Sequence, residues 1–176
     1  MQETAQQYIA RLTSYLEGKD FLQVLKATPT LLRQLTTAVA DAELRRRPEP
    51  NKWSAMEQVA HLSDVEIVLG YRVRVVLGAE DGVPIPAFDQ DRWQQAFRYN
   101  SRELEPTLAA FTAARENNLR LYESLSQAEW NKYGMHSERG KETVEAIVKL
   151  AAGHDINHLR QIEGLLGKPA STGTGR

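Results

Sequence analysis

Apolar residues recur every three or four positions along most of this chain, and no stretch of convincing length alternates with a period of two. A helix carries an apolar stripe at 3.6-residue spacing, whereas a half-buried strand alternates, so the core must be built from packed helices. The first segment runs from Glu3 to Glu17, with Tyr8, Ile9, Leu12, Tyr15 and Leu16 on one side and Gly18 as its C-terminal cap. Asp20 is read as capping a short turn over Phe21–Lys26. Thr28-Pro29 is read as a restart, because proline at a first helical position gives up a hydrogen bond it would not have made. Leu31, Leu32, Leu35 and Val39 continue that helix, and Arg45 to Pro50 reads as a polar, solvated linker. Ser54 and Glu57 make a capping box opening a helix to Leu77, followed by a loop from Gly78 to Phe88. Asp89 or Asp91 caps a short segment holding Trp93 and Phe97. A long helix spans Arg102 to Leu125, with Pro106 tolerated near its first turn. Ser126 and Glu129 repeat the capping box over a short turn, Tyr133–Lys141 reads as a loop, and Thr143 caps a last helix ending at Gly167. The expectation is an all-α four-helix bundle with short connecting helices, one domain over residues 1–167 and a loose tail over 168–176.

Composition narrows the function. With 176 residues, 41% hydrophobic and 26% charged, the chain can bury a sizeable core. Its 22 Lys+Arg against 23 Asp+Glu give a net charge of −1, which offers no global attraction to nucleic acid or an anionic membrane. Glu66, Arg72 and Arg74 interrupt the most apolar stretch, Val65–Ala79, so no membrane span is expected. Cysteine is absent. That removes disulfides, thiolate ligands and a protein thiol nucleophile, so any sulfur chemistry needs a thiol from outside. A cytoplasmic location is the simplest expectation.

The chemistry concentrates in the histidines. His154 and His158 lie four apart on one face of the last helix, about 6 Å apart along its axis. They complete the series Ile147, Ala151, His154, His158, Ile162, Leu165, a continuous seam that should face the bundle interior. Buried imidazoles need partners for their ring nitrogens, and a metal ion supplies one to each. His61, on the helix opened by Ser54, is the candidate third ligand. Three neutral imidazoles would leave coordination positions open, the mark of a reactive rather than a structural site. Nitrogen donors favour zinc, nickel, cobalt, copper or iron over magnesium or calcium. Glu57 and Asp64 flank His61 at helical spacing and are candidates to orient it or to move a proton. Asp155 is rotated about 100° from His154 and is expected to be a structural acceptor. His136 is expected to pack in its loop, and Arg72, Arg74 and Tyr71 are candidates for a pocket mouth. No glycine-rich phosphate loop, HExxH or nucleophile elbow is present.

Four segments together resemble the DinB-like (YfiT-like) superfamily. They are Trp53-Ser54-x-x-Glu57-x-x-x-His61-Leu62; Phe88-Asp89-Gln90 before Trp93; His136-x-Glu138-x-Gly140-x-x-Thr143-Val144; and His154-Asp155-x-x-His158-Leu159-x-Gln161-Ile162. The likeness runs from about Phe21 to Leu166. The resemblance implies an up-down-down-up bundle, a homodimer, and a divalent metal, zinc or nickel first, on His61, His154 and His158. Characterised relatives include transferases and an isomerase that use low-molecular-weight thiols. The resulting expectation is a metal-dependent transferase acting on a small-molecule substrate with a thiol of the bacillithiol or mycothiol type. The alternatives are a hydrolase with metal-activated water and a non-catalytic metal-binding stress-related protein.

Overall fold

The structure, a computed structural model, describes residues 3–168. Its helices are α1 (Ala5–Ser14), α2 (Phe21–Thr36), α3 (Asp41–Leu44), α4 (Ala55–Gly78), α5 (Gln90–Ala96), α6 (Leu104–Glu123), α7 (Gln127–Asn131) and α8 (Val144–Leu165). A 3-10 turn covers Tyr99–Ser101. Thr4, Asp20, Ser54, Asp89, Ser126 and Thr143 cap their helices through side-chain oxygens. The expected loose tail lies, beyond Lys168, outside the described residues.

Helices α2, α4, α6 and α8 form the bundle, with α2 and α4 on one diagonal and α6 and α8 on the other. Side-chain pairs fix their directions. Lys26 with Glu123 and Arg33 with Glu105 run α6 antiparallel to α2. Arg102 with Asp64 and Asn118 with Glu66 run α6 parallel to α4. Gln58 with His158 and His61 with His154 run α8 antiparallel to α4. The topology is therefore up-down-down-up. Consecutive parallel helices demand a connection that returns along the bundle, and the 24-residue α4 is about 36 Å long. The stretch between α4 and α6 makes that return and carries α5 and the 3-10 turn.

Three short strands correct the reading of the two loops. β1 (Val83–Ile85) pairs in parallel with β2 (Tyr133–His136), which pairs antiparallel with β3 (Gly140–Thr143). Strands of three or four residues are too short to show alternation, and the β1–β2 pairing joins segments about fifty residues apart in the chain. Gly140, at φ +76°, turns the hairpin where other residues would be strained.

Pro29 does not restart a helix; it lies inside α2. A proline has no N–H for the carbonyl four residues back, here that of Leu25. Arg115 Nη1 donates to that oxygen at 2.9 Å, so a side chain from α6 replaces the missing backbone bond. Arg115 also pairs with Glu66 of α4 at 2.7 Å and Asp155 of α8 at 2.7 Å. One guanidinium thus ties together all four helices of the bundle. Asn118 completes the cluster by donating to Glu66 Oε1 at 2.7 Å. This polar layer divides the core in two. Leu25, Val65, Leu69, Tyr122 and Ile147 pack in one half, and Leu32, Met56, Leu62, Phe111 and Ile162 in the other.

The expected solvated arginine triplet is also corrected in part, since Arg45 pairs with Asp41 and Arg47 with buried Glu57. Among the described residues, no helix is long and apolar enough to cross a membrane.

Candidate metal centre

The middle of the bundle brings α4 and α8 together at the level of the polar layer. Gly153 sets the local packing. A Cβ there would collide with the Leu12 carbonyl, so glycine lets α1 cross α8 in close contact. Arg11 Nη1 fastens the crossing by donating to Asn157 Oδ1 at 2.9 Å.

At this level His61, His154 and His158 are all buried, with potential ligand atoms within 4.8 Å of one another. His61 Nε2 lies 3.1 Å from His154 Nε2, and His158 Nε2 lies 2.9 Å from His154 Nε2. Nitrogens each about 2.0–2.1 Å from one ion stand about 2.9–3.4 Å apart for angles between right and tetrahedral, so these spacings fit a shared ion. The protein alone satisfies the cluster poorly. Two imidazole nitrogens at such a distance need one proton between them. His158 Nδ1 donates to Gln58 Oε1, which leaves its Nε2 as a lone pair. One Nε2–H on His154 can serve only one of its two neighbours well. Nδ1 of His61 and of His154 are buried without hydrogen-bond partners among the described residues.

Electrostatics hold the rings in the ligating form. Burial, then the neighbouring His154, pushes His61 well below the usual histidine range. Burial, then His154 and His61, does the same to His158. His154 is lowered to about 4 by burial and by the nearby Arg115. Trp53 covers His61 edge-on, with ring centroids 4.9 Å apart.

The flanking carboxylates are engaged elsewhere. Glu57 accepts from Arg47 Nε at 2.9 Å, from the Ser54 amide at 2.8 Å and from Gln94. Burial works to raise its pKa, but Arg47 and the Ser54 amide outweigh it and hold the carboxyl below its ordinary value. Asp64 takes a two-pronged pair from Arg102 at 2.8 and 2.9 Å. Neither orients His61, a correction to the sequence reading: the capping box and an arginine from a distant loop claim these groups first. Asp155 is the structural acceptor expected, on Arg115. His136 is buried within β2 rather than in a loop, with Nδ1 accepting from the Glu138 amide at 3.2 Å.

Gln58 and Arg115 were missed by the sequence reading, though both left signals. Gln58 precedes His61 by three residues and so shares its helix face. Arg115 completes the seam Leu108, Phe111, Arg115, Leu119, Tyr122, where an apolar residue belongs.

A cavity of about 460 Å³ adjoins the cluster, reaching His61 and His154 and walled further by Tyr8, Arg72, Phe88 and Glu138. The sequence offered Arg72, Arg74 and Tyr71 only as candidates for a pocket mouth. Arg72 lines the cavity, whereas Arg74 turns to Asn118 and Tyr71 stays exposed.

A bundle of this topology with a buried histidine cluster defines a class, and comparison with known proteins agrees. Residues 25–162 match the model of the DinB superfamily, and the chain belongs to that superfamily. It is 22% identical over 144 residues to OB0413 of Oceanobacillus iheyensis, which is provisionally named a metal-dependent hydrolase; the match covers 82% of each chain. Among solved structures it is similar to YfiT from Bacillus subtilis, described as a probable metal-dependent hydrolase with an unusual four-helix bundle topology. The TM-score is 0.76 at 20% identity, over 85% of this chain and 87% of that one.

Proposed function

We propose that this chain is a metal-dependent enzyme that holds one divalent transition ion, zinc or nickel first, on His61, His154 and His158, and transfers a low-molecular-weight thiol to a small electrophile. The observation that carries this is the convergence of three Nε2 atoms beside a cavity. A bound ion would supply Lewis acidity, lowering the pKa of a thiol or a water molecule. The chain's own residues support the site in three ways. Burial keeps the imidazoles neutral, Gln58 fixes the tautomer of His158, and no cysteine competes for the ion. The cavity lies within the usual range of about 300–1,000 Å³ for small-molecule sites. Arginines hold Glu57 and Asp64, so neither adjacent carboxylate is free as a general base. A thiol, ordinarily at a pKa of about 8.5, needs that help less than water at about 15.7. The reducing cytoplasm, where thiols persist, is the matching location, and a homodimer is the matching assembly, open to a sedimentation measurement.

Hydrolysis is the second reading. The names of OB0413 and YfiT favour it, and Glu138 offers a carboxylate on the cavity wall.

The experiment loads the protein with zinc or nickel. It then offers a panel of small thiols with monochlorobimane, and separately a panel of esters and amides. Metal-dependent thiol conjugation that His158→Ala abolishes supports the transferase. Turnover of esters or amides alone supports the hydrolase. A bound ion with no turnover in either panel leaves a non-catalytic metal-binding protein.

A further inference from the structure

Arg72 projects from α4 into the wall of the cavity that reaches His61 and His154, and only 4% of it is exposed. Its Nη2 donates to the Pro86 carbonyl at 2.7 Å, and its guanidinium lies 5.7 Å from the centre of the Phe88 ring. Its other nitrogens find no hydrogen-bond partner among the described residues, and no carboxylate there lies within 4 Å of it. The remaining charges around the cavity are unlike it. Arg139 gives its charge to Glu142 through bonds of 2.6 and 3.0 Å, and Glu3 is paired with Arg11. Glu138 is exposed and forms no ion pair among the described residues. A guanidinium has five donors, and burying it with no carboxylate in contact is costly; Glu142 and Glu138 favour its charge only from a distance, and burial and Arg139 outweigh them. One bond to a carbonyl does not require a cation, since a neutral amide would serve as well.

We infer that Arg72 anchors a carboxylate of the small molecule this site takes, leaving the ligand's other end to face His61 and His154. The inference rests on the proposed small-molecule reading and narrows it to anionic ligands. Arg72 is a specificity-determining residue in this scheme. It supplies the planar, two-pronged donor geometry that a carboxylate matches. Glu138 on the same wall opposes the anion, so its removal should tighten binding.

The test uses two matched thiols, 3-mercaptopropionate and its uncharged amide, titrated calorimetrically into zinc-loaded protein. In parallel, succinate is titrated into chelator-treated protein and followed by thermal shift. The expected result is that the acid binds about ten- to a hundredfold more tightly than the amide, as a charge-assisted contact implies. Arg72→Gln should erase that preference, the acid losing far more affinity than the amide. Equal binding of acid and amide by the wild-type protein overturns the inference. So does an equal loss for both ligands in Arg72→Gln, which would make Arg72 a strut for the Pro86 segment. Should that variant fail to fold, Glu138→Gln decides: tighter acid binding with the amide unchanged supports the anion site, and unchanged acid binding refutes it. Failure of zinc to bind would sink the metal reading, while the succinate arm still reports on Arg72.

Discussion

Replacing Arg115 by methionine should be the most damaging single change in the core outside the histidine cluster. Arg115 is 1% exposed and makes hydrogen bonds to Glu66, Asp155 and the Leu25 carbonyl. The variant fills similar space but strands two carboxylates, each with a side chain 3% exposed, and leaves the carbonyl opposite Pro29 without its donor. Breaking a buried ion pair by removing one partner costs about 3–5 kcal/mol. For a chain of this size each kcal/mol lowers the melting temperature by about 2–4 °C, so a fall of about 6–20 °C is expected. Thermal and urea unfolding of chelator-treated protein at neutral pH, followed by circular dichroism, measures it. The triple variant Arg115→Met/Glu66→Gln/Asp155→Asn should recover more than half of the loss, because it removes the stranded charges. A melting change under about 3 °C would refute the reasoning, as would a triple variant no more stable than the single one.

The site makes further commitments. Zinc at a hundred times its dissociation constant should stabilise the protein by about 2.7 kcal/mol, a rise of about 5–10 °C, and His158→Ala should abolish the rise. Gln58→Leu should weaken metal binding by about 10- to 100-fold by releasing His158, with Gln58→Glu recovering most of it; a chelator competition reads both. Glu57→Gln should cost about 1–3 kcal/mol through Arg47 and the helix cap, yet leave metal content unchanged by mass spectrometry. In the metal-free protein the histidines make acid destabilising. His154 titrates at about 4 in the fold against 6.5 ordinarily, so the unfolded chain takes its proton first and stability falls as pH drops through that window. That one group accounts for about 3 kcal/mol, and His61 and His158 add in the same direction. A flat pH–stability curve between 6.5 and 4 would contradict the burial of these rings.

Local rules in the sequence determined most of the helices, the caps at Ser54, Ser126 and Thr143, and the seam that turns His154 and His158 inward. Each depends on residues three or four apart, whose geometry a helix sets by itself. The resemblance to the DinB-like superfamily supplied the up-down-down-up topology, while His61 was already the candidate third ligand from its place on the helix opened by Ser54. Tertiary structure decided what depends on partners distant in the chain. Arg115 stands in for the bond that Pro29 lacks, which keeps α2 continuous. Arg47 and Arg102 draw Glu57 and Asp64 away from His61, and Gln58 takes the place at His158. β1 is a strand only because it meets β2, about fifty residues further along the chain. Arg72 becomes buried, with no carboxylate in contact, only where the return segment after β1 brings Pro86 and Phe88 over α4. Such outcomes are competitions between groups for the same polar partner, and the winner is set by which elements pack together.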